Sequence, residues 1–149
     1  MSQTLPEFDF DGFLPYRMTV VAARLSAELA QHYKSTYGIT TAQWRVILNV
    51  GYSGAVSVRD IEKKFNLEKS KISRAAAKLE AEGYITKEID RADRRLVKLQ
   101  LTPKGAQLLS ELVPLAKAYQ RKLEAELKGN LQGLQSALDI LTQKEPPQG

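Results

Sequence analysis

The sequence predicts a mainly α-helical fold with a small β-hairpin, a winged helix-turn-helix flanked by helices at both ends. Three observations predict it. Apolar residues recur at three- and four-residue spacing over most of the chain. The spacing changes to two within residues 84–101. Glycines, prolines and capping hydroxyls separate the segments.

Residues 13–36 read as a long helix through Leu14, Met18, Val21, Leu25, Leu29 and Tyr33, with Gly38 placed to end it. Thr40 or Thr41 is placed to cap a second helix that turns Trp44, Ile47 and Leu48 inward, and Gly51 to Gly54 is expected to break it. Ser57-Val-Arg-Asp60 has the form of a capping box, with Asp in place of the usual Glu or Gln. It opens a short helix with Val58, Ile61 and Phe65 on one face, and Asn66-Leu67 is the turn after it. The next helix spans about 68–82, with Ile72, Ala76 and Leu79 on its core side and Gly83 at its end. Glu68 suits the exposed amides of its first turn.

Residues 84–89 and 96–101 then read as two short strands, in which Leu99 and Leu101 alternate with Lys98 and Gln100. Thr102-Pro103 starts a further helix, a capping hydroxyl followed by proline in the first turn. Its apolar ladder runs from Leu108 through Leu112, Leu115, Tyr119, Leu123 and Leu127 to Leu131, Leu134, Leu138 and Leu141. Pro114 is a candidate kink, and Lys128-Gly129-Asn130 is expected to divide the ladder into two helices. Little else in the chain could cover the apolar stripes at the two ends, so the economical partner is a second copy. The expected division is 1–38 and 106–145 as a helical dimerisation region, 39–105 as a winged helix-turn-helix, and 146–149 as a flexible tail.

The 149 residues are enough for about one domain. With 43% hydrophobic and 26% charged residues, the composition is that of a folded globular chain. No run of apolar residues reaches the length of a membrane helix. The segment MSQTLPEFDFDGF lacks the basic start and apolar run of a secretory signal, and cysteine is absent. A cytoplasmic location is the expectation. The net charge of +5 is local: residues 56–104 carry thirteen basic and eight acidic side chains, while the flanks balance at four against four and five against five. A basic segment between neutral flanks points to a polyanion.

The helix 68–82 offers a face for that polyanion. With Ile72, Ala76 and Leu79 inward, Ser70, Arg74, Ala77 and Ala81 project outward, flanked by Lys71, Ser73 and Lys78. Hydroxyls and cations near the start can meet phosphates or base edges, Arg74 can donate two hydrogen bonds to guanine, and the alanines admit close approach. Alanine-rich helices also form for propensity alone, so the position of this helix in the motif order carries the reading. Arg59, Lys63 and Lys64 on the preceding helix could steady the backbone. The hairpin tip DRADRR, residues 90–95, puts Arg91, Arg94 and Arg95 on a protruding loop suited to a minor groove. Asp90 and Asp93 are expected to pair with arginine or cap the turn, fixing direction more than stability.

LeuGluLysSerLysIleSerArg (67–74), LysLeuGluAlaGluGlyTyrIle (78–85), AspArgAlaAspArgArg (90–95) and LeuThrProLysGly (101–105) together resemble the multiple-antibiotic-resistance regulator family, the MarR-type bacterial repressors. A Thr-x-x-Gln-Trp segment at 40–44 extends the likeness over nearly the whole chain. The resemblance implies that Ser70, Lys71, Ser73 and Arg74 sit at recognition-helix positions and that Asp93, Arg94 and Arg95 form the wing tip, with Arg95 in the minor groove. It also implies a homodimer through both termini and a crevice that takes small aromatic or phenolic ligands. Candidates for that crevice are Tyr16, Arg17, His32, Tyr33 and Trp44, each equally suited to ordinary packing.

The chain departs from branches of the family that sense peroxide through cysteine or zinc through histidine clusters. It has no cysteine, and His32 is its one histidine, so no metal and no cofactor is expected. An enzyme is not expected either, because no glycine-rich phosphate loop, histidine pair or His-Glu-x-x-His pattern is present. The sequence therefore points to a homodimeric, sequence-specific regulator that binds a palindromic operator in double-stranded DNA, a repressor released by a small ligand. The alternative is a winged-helix module for protein or nonspecific nucleic acid, with no inducer.

Overall fold

The computed structural model describes residues 3–54, 56–65, 68–93 and 97–143. Asn66-Leu67, the wing residues Arg94 and Arg95, and the tail 146–149 lie outside the described residues. Two compact units emerge, Met1–Leu109 and Ser110–Gly149.

The first unit opens with α1 (Leu14–Tyr37), which has Pro15 in its first turn and ends at Gly38. Gly38 adopts φ 66°, the left-handed conformation that glycine takes without steric cost, and its N–H closes onto the Lys34 carbonyl at 2.9 Å. Next comes α2 (Thr41–Ser53), capped by Thr40. The Thr40 hydroxyl accepts from the Gln43 N–H at 3.1 Å, and the Gln43 side chain accepts from the Thr40 N–H at 2.8 Å. Trp44 and Ile47 are buried as the periodicity requires, whereas Leu48 is half-buried.

Gly51 does not break the chain: α2 runs through it to Ser53, and the stop is Gly54 with φ 75°. The reason is packing. A Cβ at Gly51 would collide with the Leu109 side chain, so glycine is there for close approach and not for a turn.

A strand that the periodicity does not reveal follows, β1 (Val56–Ser57). It leads into α3 (Val58–Phe65) through the expected capping box, with Ser57 N–H donating to Asp60 Oδ2 and Asp60 N–H donating to Ser57 Oγ, both at 3.1 Å. These backbone and hydroxyl donors hold the Asp60 carboxyl below its ordinary pKa. Then come α4 (Lys69–Ala81), β2 (Ile85–Ile89) and β3 (Val97–Leu101). The sheet is antiparallel with order β1-β3-β2, pairing Val56 with Leu99, Ile85 with Leu101 and Ile89 with Val97. The hairpin is thus the larger part of a three-stranded sheet. Two residues are too few to show a period, and Ser57 also serves as the cap, which hides the strand in the sequence.

The core of this unit lies where α2, α3 and α4 meet the sheet. Val46, Ile47, Ile61, Ile72, Ala76, Leu79, Ile85 and Leu99 are all buried there. At ~25 cal/mol per Å², each large aliphatic side chain of this kind contributes roughly 1.5–3 kcal/mol.

Helix α5 (Pro103–Glu126) starts at Thr102, whose hydroxyl accepts from the Gly105 N–H at 3.0 Å, and Pro114 stands inside it without ending it. In the second unit, Lys128 (φ 50°) and Gly129 (φ 86°) make the turn before α6 (Leu131–Thr142). Helix α6 buries none of its residues and leaves Leu134, Leu138, Ile140 and Leu141 exposed.

Candidate nucleic-acid interface

Helix α4 is anchored along one side and free along the other. Ile72, Ala75, Ala76 and Leu79 are buried, while Ser70, Lys71, Ser73, Arg74, Ala77 and Ala81 are exposed. Its C-terminus is closed by a Schellman pattern: Tyr84 N–H donates to Leu79 O and Gly83 N–H to Glu80 O, both at 2.9 Å. Gly83 supplies the left-handed residue at φ 84°. Next to it, the Thr102 hydroxyl lies 2.6 Å from Gly83 O and 3.0 Å from Tyr84 O, and the Thr102 N–H donates to Tyr84 O at 3.1 Å. Lys104 Nζ donates to Glu82 O at 2.6 Å and stands 4.7 Å from the centre of the Tyr84 ring. The Leu-Thr-Pro-Lys-Gly segment is therefore a latch between the end of α4 and the start of α5.

The exposed side of α4 is flanked by two grooves. One, of about 220 Å³, is lined by Lys71, Arg74 and Lys78 together with Ala42 and Gln43 of the first turn of α2. The other, of about 180 Å³, is lined by Lys69 and Ser73 with Arg59 and Glu62 of α3. Counted at 100° per residue, the two groups of α4 residues stand roughly 150° apart, and Ser70, Ala77 and Ala81 occupy the ridge between them. A ridge of small residues between cationic flanks has the shape and charge to enter a major groove.

The wing projects from β2 and β3. Asp90 Oδ1 accepts from Ala92 N–H at 2.8 Å and from Asp93 N–H at 3.3 Å, and Asp90 Oδ2 pairs with Lys98 at 3.4 Å. Asp90 therefore caps the turn, and its ion pair is with lysine. Arg91 is exposed and Asp93 half-buried; the positions of Arg94 and Arg95 are not among the described residues. The two backbone N–H donors, with Lys98 adding to them, hold the Asp90 carboxyl below its ordinary pKa. A carboxyl depressed in this way orders the turn at pH values above about 3.9 and loses that effect as the pH falls through its own lower value. Acidification is expected to move the Ala92 amide proton resonance with a midpoint below that of an ordinary aspartate. Asp90→Ala should abolish the titration, and a midpoint at or above the ordinary value would refute the capping role.

The five candidates for a ligand crevice fall in separate places. Tyr33 and Trp44 are buried and stacked, with ring centres 5.2 Å apart and an interplanar angle of 19°. The Tyr33 hydroxyl donates to Thr41 Oγ1 at 3.1 Å. Burial pushes the Tyr33 phenol up in pKa, against smaller opposing effects of Thr41 and Arg45. His32, the next residue before Tyr33 on α1, is exposed. Tyr16 and Arg17 lie about 25 Å away along α1 by helix rise. There they line a groove of about 380 Å³ with Phe10, Val20, Val21 and Arg24.

Sequence reading passed over the aromatic arm beside that groove. Phe8, Phe10, Phe13 and Tyr16 form edge-on and tilted contacts with ring centres 5.0 to 6.4 Å apart, yet all four remain exposed. The alternation in Phe-Asp-Phe-Asp-Gly-Phe was the available signal. Among the described residues, no group of three or more histidine, aspartate or glutamate side chains is placed to hold a metal ion, and no helix is long and apolar enough to cross a membrane.

Comparison with known proteins follows the same outline. Residues 37–96, from the end of α1 to the wing, match the sequence profile of the MarR family. An uncharacterised HTH-type transcriptional regulator of Bacillus subtilis, YwaE, is 29% identical over 93 residues, which span 62% of this chain and 54% of that protein. The chain thus spans about half the length of this curated relative. A MarR-family transcriptional regulator from Silicibacter pomeroyi is 26% identical with a TM-score of 0.75, over 94% of this chain and 92% of the other. BpsR of Bordetella bronchiseptica, whose DNA binding is regulated by 6-hydroxynicotinic acid, shares the fold at 23% identity and a TM-score of 0.79, over 94% of this chain and all of BpsR. With the three-stranded wing and the latch in place, residues 37–96 match the MarR family, and the chain is similar in fold and sequence to winged helix-turn-helix regulators of that family.

Proposed function

We propose that this protein is a homodimeric, sequence-specific regulator of transcription that binds double-stranded DNA and represses until a small aromatic ligand releases it. The observation that carries the reading is the exposed side of α4, a ridge of serine and alanine between cationic grooves. Ser70, Lys71, Ser73 and Arg74 would meet the major groove. Arg91, Asp93, Arg94 and Arg95 would serve the wing, with Arg95 entering the minor groove.

Dimerisation is supported by apolar surface left uncovered in each unit: Phe8, Phe10, Val20 and Val21 in the first, Leu134, Leu138, Ile140 and Leu141 in the second. Residues 1–38 and 106–145 would form that interface and 39–105 the DNA-binding part. Two copies would place their α4 helices in half-sites about one helical turn apart, which makes the operator palindromic. The ligand is supported by the regulation of BpsR by 6-hydroxynicotinic acid; the Tyr33–Trp44 stack is buried between α1 and α2, so a ligand there would have to part the two helices.

Selection of bound sequences from random duplex DNA tests the reading, with mass in solution measured alongside. A palindromic enrichment by a dimer is the expected result. Equal affinity for selected and scrambled duplexes would instead mean a nonspecific nucleic-acid module. Trp44 is the single tryptophan, so its fluorescence should report an aromatic acid that binds beside it.

A further inference from the structure

Three successive carbonyls follow the last residue of α4, and the entry to α5 engages all of them. Lys104 Nζ donates to Glu82 O at 2.6 Å. The Thr102 hydroxyl stands 2.6 Å from Gly83 O and 3.0 Å from Tyr84 O, and the Thr102 N–H donates to Tyr84 O at 3.1 Å. The partners are 18 to 22 residues apart in the chain, so no local cap accounts for these bonds. They sit at the negative end of the α4 dipole, where a lysine ammonium is the favourable charge.

Thr102 works in two directions. Its hydroxyl has one proton, which goes to the carbonyls behind α4, while its oxygen accepts the Gly105 N–H in the first turn of α5 at 3.0 Å. One side chain therefore closes the end of one helix and opens the next. The same segment ends β3 at Leu101, which pairs with Ile85 at the start of β2. Along its length α4 is held by Ile72, Ala75, Ala76 and Leu79, apolar contacts that fix which side is buried but have no direction of their own. Directional contacts come at its end, from Thr102 and Lys104, with the exposed Lys87–Glu80 pair beside them at 3.8 Å.

We propose that Thr102 and Lys104 are positioning residues for DNA recognition, which set the tilt of α4 and with it the half-site separation that a dimer accepts. This role rests on the DNA-binding reading above and deepens it. Both residues act through α4 and make no contact with DNA themselves. The lever is the helix. Its 13 residues span about 18–20 Å by helix rise, with Ser70 at the end far from the latch. A tilt of about 10° at the latch moves that far end by about 3 Å, close to the ~3.4 Å between successive base pairs. A slight slackening at the cap is therefore enough to blur the distance between two α4 helices by a base pair. From the latch α5 continues as one helix to Glu126, so the latch joins the reading helix to an element on which the proposed dimer is built.

Thr102→Val and Lys104→Met remove the polar contacts with little change of size, and Thr102→Ser keeps the hydroxyl. Each protein is titrated with the selected duplex and with duplexes whose half-sites stand one base pair closer or farther apart, with thermal unfolding as the control for folding. Wild type and Thr102→Ser should show the same preference for the selected separation. In Thr102→Val and Lys104→Met that preference should narrow by about 2- to 30-fold. A residue that only stabilised the fold would lower affinity by one factor at every separation and leave the preference alone. An unchanged preference in Lys104→Met, which loses only an exposed contact, would overturn the role even if Thr102→Val does not fold. A wild type indifferent to separation would also overturn it, and both outcomes leave the DNA-binding reading standing. A wild type that binds no duplex at all would instead remove that reading and this role together.

Discussion

Gly105→Ala is expected to be the most damaging single-methyl change in the first unit of the chain. Gly105 is buried in the first turn of α5, and a Cβ there would run into the backbone carbonyl of Tyr84 and lie 2.7 Å from the Leu101 Cδ1. Overfilling a packed site costs about 1–3 kcal/mol where side chains can move aside. Here the first atom struck is a main-chain oxygen, which is also the acceptor of the Thr102 N–H and lies 3.0 Å from the Thr102 hydroxyl. The upper end of that range is therefore expected, about 3 kcal/mol, read as a lowered denaturant midpoint. Lys104→Met tests the same latch without the collision. It removes only an exposed lysine contact and should cost less than about 1 kcal/mol. A Gly105→Ala protein as stable as wild type would show that the latch yields, contrary to the geometry.

Arg74→Ala should act in the opposite way, leaving the fold alone and changing recognition. The side chain is exposed on α4, and alanine has the better helix propensity, so the melting temperature should stay level or rise slightly. Removing a bidentate interaction with guanine costs about 1–3 kcal/mol, or roughly 5- to 150-fold in operator affinity. The discrimination should fall with it. Competition among duplexes that differ at one base pair should show relaxed preference at a single position in each half-site. This separates Arg74 from Lys71 and Lys78, whose replacement should weaken all duplexes alike. Unchanged operator affinity would remove Arg74 from the interface altogether.

Particular residues show how much of this was legible in advance. Helix periods, the Thr40 and Ser57 caps, the change of period after Gly83 and the local charge excess are written in consecutive residues, and each appears in the structure nearly where expected. Capping and amphipathic patterning are interactions over three or four residues, so the chain carries them without its distant parts. Other features depended on partners far along the chain. Gly51 looked like a breaker until Leu109 was found against it. Val56-Ser57 became a strand because β3 lay open beside it. Asp90 was a plausible partner for arginine, and Lys98, across the hairpin, holds it in addition to the turn it caps.

The same division runs through the candidate site. The sequence by itself determined which face of α4 is free, because burying Ile72, Ala76 and Leu79 leaves only one way for Ser70 and Arg74 to point. Only the tertiary structure decided what stands beside that face. It brought the first turn of α2 against Lys71, Arg74 and Lys78, put Glu62 on the other flank, and placed Tyr16 far from Tyr33 along one helix. The physical reason is range. Helical periodicity fixes direction around an axis, while the packing of one axis against another depends on contacts that no local pattern contains.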